Sequence, residues 1–336
     1  MKEKIILCDR QAGFVSALER RLSGTLESSG IEVFAFDNVA KLLDSGEAEG
    51  SRVTLIGEKM LDAYQAEKLA DQTERIVYLT EEKRHDGIFK YQSASDLTKQ
   101  IVAMLLDQTG LPASDPSFQK REDRAQIIGF YSPVRPMIQS MLALTMGQIL
   151  AEEKKVLYLN FEPYSGMEYL LQKEFGRGLS ELLFYIRDRE SRLSLRVETL
   201  TEKLGNLDYI PPVLAYHDLE EIEPDGFVRL TEKLATETDY EVILLDLSEV
   251  TGLFSVLESC DKIICPYADD PLASAKVDEY ERMLDFMKYQ TIRERTSPLR
   301  IPAFSRLPRQ MAAMQKSELA QFIRREILKT GICAAG

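Results

Sequence analysis

Short apolar runs alternate along this chain with stretches in which apolar residues recur every third or fourth position. KIILCD ends at Asp9, and Phe14, Leu18 and Leu22 then follow at helical spacing. IEVFAFD, VTLIG, RIVYLT and GIFKY predict further strands, and LDAYQAEKLADQ and ASDLTKQIVAMLL predict helices. Five βα units of this kind predict an open parallel sheet covered on both faces. The polar run DQTGLPASDPSFQKREDRAQ, with Gly110, Pro112 and Pro116, reads as a linker.

A second α/β series follows. Its strands are IIGFYS, KVLYLNF, LDYIPP, YEVILLDLS, DKIICPYA and LRIPAF, and PLASAKVDEYERMLDFMKY is its clearest helix. The pattern predicts two doubly wound parallel-sheet domains, spanning 1–107 and 125–336, with a linker over 108–124. In the closing segment SELAQFIRREILKT, Leu319, Phe322, Ile323 and Ile327 share one side. A packed terminal helix is the expectation there, and a peripheral membrane anchor is the alternative, because one apolar stripe suits either role.

Length and charge narrow the picture. A chain of 336 residues with 44% apolar residues can fill two cores. The net charge of -13 argues against sequence-independent nucleic-acid binding, which needs a basic face to displace counterions. Arg293, Arg295, Arg300, Arg306, Arg309, Arg324 and Arg325 make the C-terminal region locally basic, and they read as a solvated face. Cys8, Cys260, Cys265 and Cys333 lack metal-ligand spacing, and Cys8 and Cys265 lie in strand-like runs as core residues. No signal-peptide pattern follows Met1, and no apolar run approaches the roughly 18 residues of a membrane span. The expectation is a soluble, cytoplasmic protein. His85 and His217 lie in polar, loop-like surroundings, and the acidic run DLEEIEPD lacks the spacing of a calcium loop.

The first domain resembles the response-regulator receiver, a flavodoxin-like fold. That family needs acids after strand one to hold Mg²⁺, an aspartate after strand three to take the phosphoryl group, then a Thr or Ser and a Lys. Asp9 stands after strand one, between Cys8 and Arg10. Gly57 in VTLIGEKM occupies the acceptor position and cannot be phosphorylated. Glu58 is adjacent, but its side chain is expected to point elsewhere. Thr80 and Lys90 hold the last two positions, and Tyr91 replaces the family's usual proline. With the acceptor gone, Thr80 reads as an N-cap-like hydroxyl and Lys90 as a solvated charge. The resemblance implies a pseudo-receiver used for docking or dimerisation.

The second domain opens on FYSP, a turn and a long apolar helix, and continues through VLYLNFEPYSG, GLSELLFYIRD, LDYIPP, DYEVILLDLSEV and CDKIICPYADDPLASAKVDEYERML. In this order the pieces resemble the MinD/ParA family of deviant Walker ATPases, and within it the TadZ/CpaE type of pilus-assembly and localisation proteins. Those proteins also carry an atypical receiver first, so the resemblance covers essentially the whole chain. The family's loop, Lys-Gly-Gly-x-Gly-Lys-Thr, falls on Val134, Arg135, Pro136, Met137, Ile138, Gln139 and Ser140. Glycines there let the backbone approach phosphates with its N–H groups inward. Pro136 has no N–H, Ile138 is β-branched, and Gln139 replaces the lysine that bridges the phosphates. Ser140 keeps a hydroxyl at the Mg²⁺-ligand position and Asp246 stands at the Walker-B position. Asn160 and Glu162 fall where switch I has two aspartates. Arg135, Gln139, Ser140, Glu162 and Asp246 are therefore the candidate residues of a vestigial nucleotide site. Asp246 and Glu162 have a second reading, as caps of the turns that follow.

Phosphoryl transfer depends on positioning and charge stabilisation, so losing the loop removes most of the catalyst. The resemblance implies a homodimer, and the departure from the family's loop implies no catalytic residues and no required cofactor. Such a protein would serve as a scaffold or localisation factor for a Tad-type pilus secretion machine, reaching the inner face of the cell membrane or the cell pole only through partners. The alternative is a weak Mg²⁺-ATP binder or slow ATPase acting as a nucleotide-controlled dimer switch. A nucleoid-binding partition protein fits the fold but not the acidic charge.

Overall fold

The computed structural model describes residues 3–26, 30–84, 87–106, 124–187, 193–213, 215, 217–220, 222–223, 225–308 and 310–328. His85, Arg309, Cys333, parts of DLEEIEPD and almost all of the expected linker lie outside them. The chain divides into two compact units, Met1–Gln119 and Lys120–Gly336.

In the first unit, β1 (Glu3–Cys8), β2 (Ile31–Phe36), β3 (Val53–Gly57), β4 (Ile76–Thr80) and β5 (Gly87–Phe89) form one sheet in the order β2-β1-β3-β4-β5. Every pairing is parallel, and the order is that of a flavodoxin-like doubly wound sheet. The helix Ala12–Leu26 buries Val15, Leu18, Leu22 and Leu26 at the expected spacing. Asn38 caps the helix Val39–Ser45, and Asp62 with Gln65 forms a capping box on Ala63–Ala70. The helix Ala94–Leu106 completes the set.

The expectation of five βα units fails at the fourth. Only residues 81–86 separate Thr80 from Gly87, too few for the dozen or more of a helical crossover. β5 nevertheless lies parallel to β4, with Tyr78 opposite Gly87. A Cβ at Gly87 would stand 2.7 Å from the Tyr78 carbonyl oxygen, so this close return demands glycine. Among the described residues no helix intervenes between β4 and β5, and Tyr78 keeps 37% of its surface in solvent although β4 is an interior strand. Tyr91 just beyond β5 is exposed too, in edge contact with Phe89.

The second unit holds β6 (Gln126–Phe130), β7 (Val156–Asn160), β8 (Glu202–Leu204), β9 (Leu207–Tyr209), β10 (Val242–Asp246), β11 (Lys262–Ala268) and β12 (Thr296–Ile301). Their order is β12-β11-β6-β10-β7-β9-β8. The sequence predicts a parallel sheet, but this one is not wholly parallel. β8 turns back on β9 as an antiparallel edge hairpin around Gly205, whose φ of +65° suits the tight turn. β6, β10 and β7 lie side by side, so their carboxyl ends and the loops after them meet at one edge.

Two apolar clusters cover the faces of this sheet. One seats the helix Gln139–Leu150 through Leu142, Met146 and Ile149, and the other seats Leu179–Arg187 and Gly226–Glu237 through Leu182, Leu230 and Leu234. The terminal helix Glu318–Ile323 runs into a wider turn over Arg324–Leu328 and packs on Gln139–Leu150. Leu319, Phe322, Ile323 and Ile327 are all buried there, so the apolar stripe serves the core, as the packed-helix reading expects. Arg306 is exposed, as a solvated face expects, but several of the other arginines carry partners at the surface. Arg293 pairs with Glu281, Arg300 with Asp269 and Arg324 with Glu152, while Arg295 donates to the carbonyls of Glu258 and Cys260. Cys8 and Cys265 are buried as expected, and so is Cys260. No helix among the described residues is long and apolar enough to cross a membrane.

The exposure of Tyr78 sets a contrast between neighbouring residues. Tyr78→Ser should cost about 1 kcal/mol, whereas Leu79→Ala, one residue on and fully buried, should cost about 2–5 kcal/mol. Urea unfolding of the two variants beside the parent checks it.

Candidate functional site

The chemistry-bearing residues of each unit gather where strands end. In the first unit Asp9 follows β1 and is buried beneath Lys90, whose Nζ lies 3.2 Å from Asp9 Oδ2 and 3.3 Å from Glu81 Oε1. The other Asp9 oxygen accepts the Gln11 backbone N–H at 3.0 Å. Lys90 is therefore a buried ion-pair partner, not the solvated charge expected. Burial opposes its charge most strongly, but the bonds to Asp9 and Glu81 outweigh this and raise its pKa above the usual 10.5. A Cβ at Gly57 would stand 2.7 Å from Asp9 Oδ2, so the carboxylate occupies the room that a side chain on β3 would need. Thr80 is buried, and among the described residues it caps no helix and its hydroxyl has no hydrogen-bond partner. Glu58 turns to pair with Arg84, which holds its carboxyl below the usual range.

In the second unit the five candidate residues fall into one cluster of four and one outlying ion pair. Asp246, at the end of β10, has no solvent exposure. Its Oδ1 accepts the Gln139 side-chain amide at 2.8 Å, and its Oδ2 accepts the Tyr158 hydroxyl at 2.8 Å and the Asn160 amide at 3.0 Å. Gln139 is 3% exposed, and its Nε2 also reaches the carbonyls of Leu247 at 3.0 Å and Phe130 at 3.3 Å. Ser140 Oγ donates to Glu162 Oε2 at 2.9 Å, and the Glu162 N–H donates to Asn160 Oδ1 at 2.9 Å. The turn-cap reading of Asp246 and Glu162 is thus replaced. Asp246 faces three side-chain donors, and the Glu162 carboxylate faces Ser140. Burial raises the pKa of both carboxyls, and the nearby Asp246 charge adds to the rise at Glu162. Asn160, singled out from sequence beside Glu162, belongs to this site, and so does Tyr158, which the sequence reading did not single out. Their alternation on β7 with Leu157 and Leu159 is the signal that could have found Tyr158.

Arg135 lies apart from this cluster, ion-paired with Glu249 in the loop after β10. Its φ is +51°, a left-handed turn held without glycine. Met137 is 99% exposed, and the Gln139 N–H donates to the Pro136 carbonyl at 2.9 Å. The helix Gln139–Leu150 begins without a side-chain cap.

Both Asp246 oxygens accept from protein donors, Gln139 among them, and Ser140 donates to Glu162. Pro136 offers no N–H. Among the described residues no group of three or more His, Cys, Asp or Glu side chains could hold a metal ion.

No family model matches the chain, and no curated protein matches it. Among solved structures it is similar to a ParA-family ATPase from Chlorobium tepidum TLS, with 16% identity, a TM-score of 0.45, and coverage of 62% of this chain and 96% of that one. It is also similar to a plasmid partition protein from Borrelia burgdorferi B31 bound to AMPPNP, with 17% identity, a TM-score of 0.41, and coverage of 60% and 99%. Apo McdA from Cyanthece gives 14% identity, a TM-score of 0.42, and coverage of 62% and 89%.

Two outcomes follow from the buried charges. Lys90→Met should cost about 3–5 kcal/mol by stranding Asp9, and adding Asp9→Asn should recover much of it; denaturant unfolding of the single and double variants measures this. A raised carboxyl pKa gives stability that is full below the unfolded-state value and is lost as pH climbs through the folded one. For Glu162 that loss begins near the usual 4.5. Glu162→Gln keeps an acceptor for Ser140 and removes this titration, so its stability relative to the parent should be greater at about pH 8 than at about pH 4.5. Urea midpoints at the two pH values test the sign.

Proposed function

We propose that the protein is a non-catalytic scaffold or localisation factor of the TadZ/CpaE type, serving a Tad-type pilus secretion machine. In this reading 1–107 is a pseudo-receiver, 108–124 a linker and 125–336 a degenerate MinD/ParA-like ATPase domain. The observation that carries it is the Gln139 amide bonded to Asp246, which closes the vestigial site with the protein's own groups. Several phosphate-stabilising donors are absent together, and each such donor is worth about 3–4 kcal/mol of barrier in enzymes that use them. In the first unit, Gly57 offers no phosphate acceptor, and Asp9 is neutralised by Lys90. Both units keep a folded α/β framework, which this reading takes as a carrier of docking surfaces. Pairing of two copies, and attachment to pilus machinery at the inner face of the membrane or the cell pole, belong to the same proposal.

The second reading, a nucleotide-controlled dimer switch, draws on one observation. Ser140, Glu162 and Asp246 remain within one hydrogen-bonded cluster, and Arg135 stands exposed at the mouth of the same loop. Titration calorimetry with Mg²⁺-ATP and Mg²⁺-ADP, beside light scattering for mass, separates the two. The scaffold reading expects no binding heat and one dimer mass with or without nucleotide. A sub-millimolar midpoint would favour the switch, and a monomer under all conditions would count against both.

A further inference from the structure

We infer that Gln139 is a built-in latch, standing where a ligand would bind and holding the carboxyl edge of the second sheet in one ligand-independent conformation. The inference rests on the non-catalytic reading above and specifies how that site is regulated, namely not by a small molecule.

The observation is a closed circuit of hydrogen bonds. Gln139 Nε2 donates to Asp246 Oδ1, and Asn160 Nδ2 donates to Asp246 Oδ2. The Glu162 N–H donates to Asn160 Oδ1, and Ser140 Oγ donates to Glu162 Oε2. Ser140 is the next residue after Gln139, so the circuit returns to the helix where it began. It joins the first turn of Gln139–Leu150 to the ends of β10 and β7, and the bond to the Phe130 carbonyl adds β6. That carbonyl also accepts the Leu247 N–H at 2.9 Å, and the Phe161 N–H donates to the Asp246 carbonyl at 2.8 Å. Side-chain and backbone bonds therefore converge on the same strand ends.

A ligand shifts a conformational equilibrium only by interacting differently with two states. Here the contacts that a bound anion and cation would supply are already made inside the chain, by an uncharged amide and a hydroxyl. The loops carrying Arg135, Glu162 and Glu249 are thereby tied to fixed strand ends. Any partner reading this edge meets the same surface in the presence or absence of nucleotide.

Hydrogen exchange of the full chain, read by mass spectrometry, tests the latch. The reporters are the amides of Leu247 and Phe161, in the parent and in Gln139→Met, which keeps the side-chain length and removes the donor. Exchange in the parent should be unchanged by Mg²⁺-ATP, and Gln139→Met should speed it about tenfold at Leu247. Equal exchange in Gln139→Met and parent would overturn the latch while leaving the non-catalytic reading intact. Slowing of the parent's exchange by Mg²⁺-ATP would overturn the non-catalytic reading itself. If Gln139→Met fails to fold, Ser140→Ala opens the circuit at its outer side. Several-fold faster exchange at the Glu162 amide then supports the latch, and unchanged exchange there overturns it.

Discussion

A carboxylate with no access to water must be matched by donors, and Asp246 imposes that requirement on everything around it. Stripped of hydration, an unpaired charge would cost many kcal/mol. The second unit meets the demand with neutral groups: an amide from the helix, a phenol and an amide from β7. Each donor then places something else. Tyr158 and Asn160 lie on one face of β7, and Gln139 brings the helix start against β6 and β10. The first unit meets the same demand differently, with a lysine laid over Asp9. One solution is a network of dipoles and the other an ion pair. The ion pair leaves its site sensitive to loss of a single partner.

Much of this was legible along the chain. The strand ends at Asp9 and Asp246 follow apolar runs, and both fall where doubly wound sheets gather chemistry. The terminal helix was legible because its apolar residues share one side. Other features were hidden for physical reasons. RIVYLT and GIFKY read equally well with or without a helix between them, because periodicity marks strands and not their crossovers. The hairpin strand Glu202–Leu204 has only three residues and no alternation to betray it. Lys90 reads as a surface charge because lysine usually is one. Its burial depends on Asp9, which is 81 positions away.

Gln139 shows the same limit from the other side. Measured against a loop that binds phosphate, it registers only as a missing lysine. Its bonds run to Asp246, Leu247 and Phe130, three groups that no local pattern brings together. Arg135 is similar. Its left-handed backbone would suit glycine, and the ion pair with Glu249 fixes the side chain at the surface. Non-glycine residues in that region carry strain of about 1–2 kcal/mol, so the turn has kept a shape that its own residue disfavours.

The short return from β4 to β5 bears on how the first sheet assembles. Glu3 and Ile31, paired across β1 and β2, lie 31 − 3 = 28 positions apart, while Tyr78 and Gly87 lie only 87 − 78 = 9 apart. Closing the longer loop costs about 1 kcal/mol more chain entropy. Parallel pairing is ordinarily slow because its contacts are distant in sequence. With no crossover helix between β4 and β5, this unit makes its last strand its most local one. That strand can join β4 at low entropic cost, while the rest of the sheet must wait for distant segments to meet.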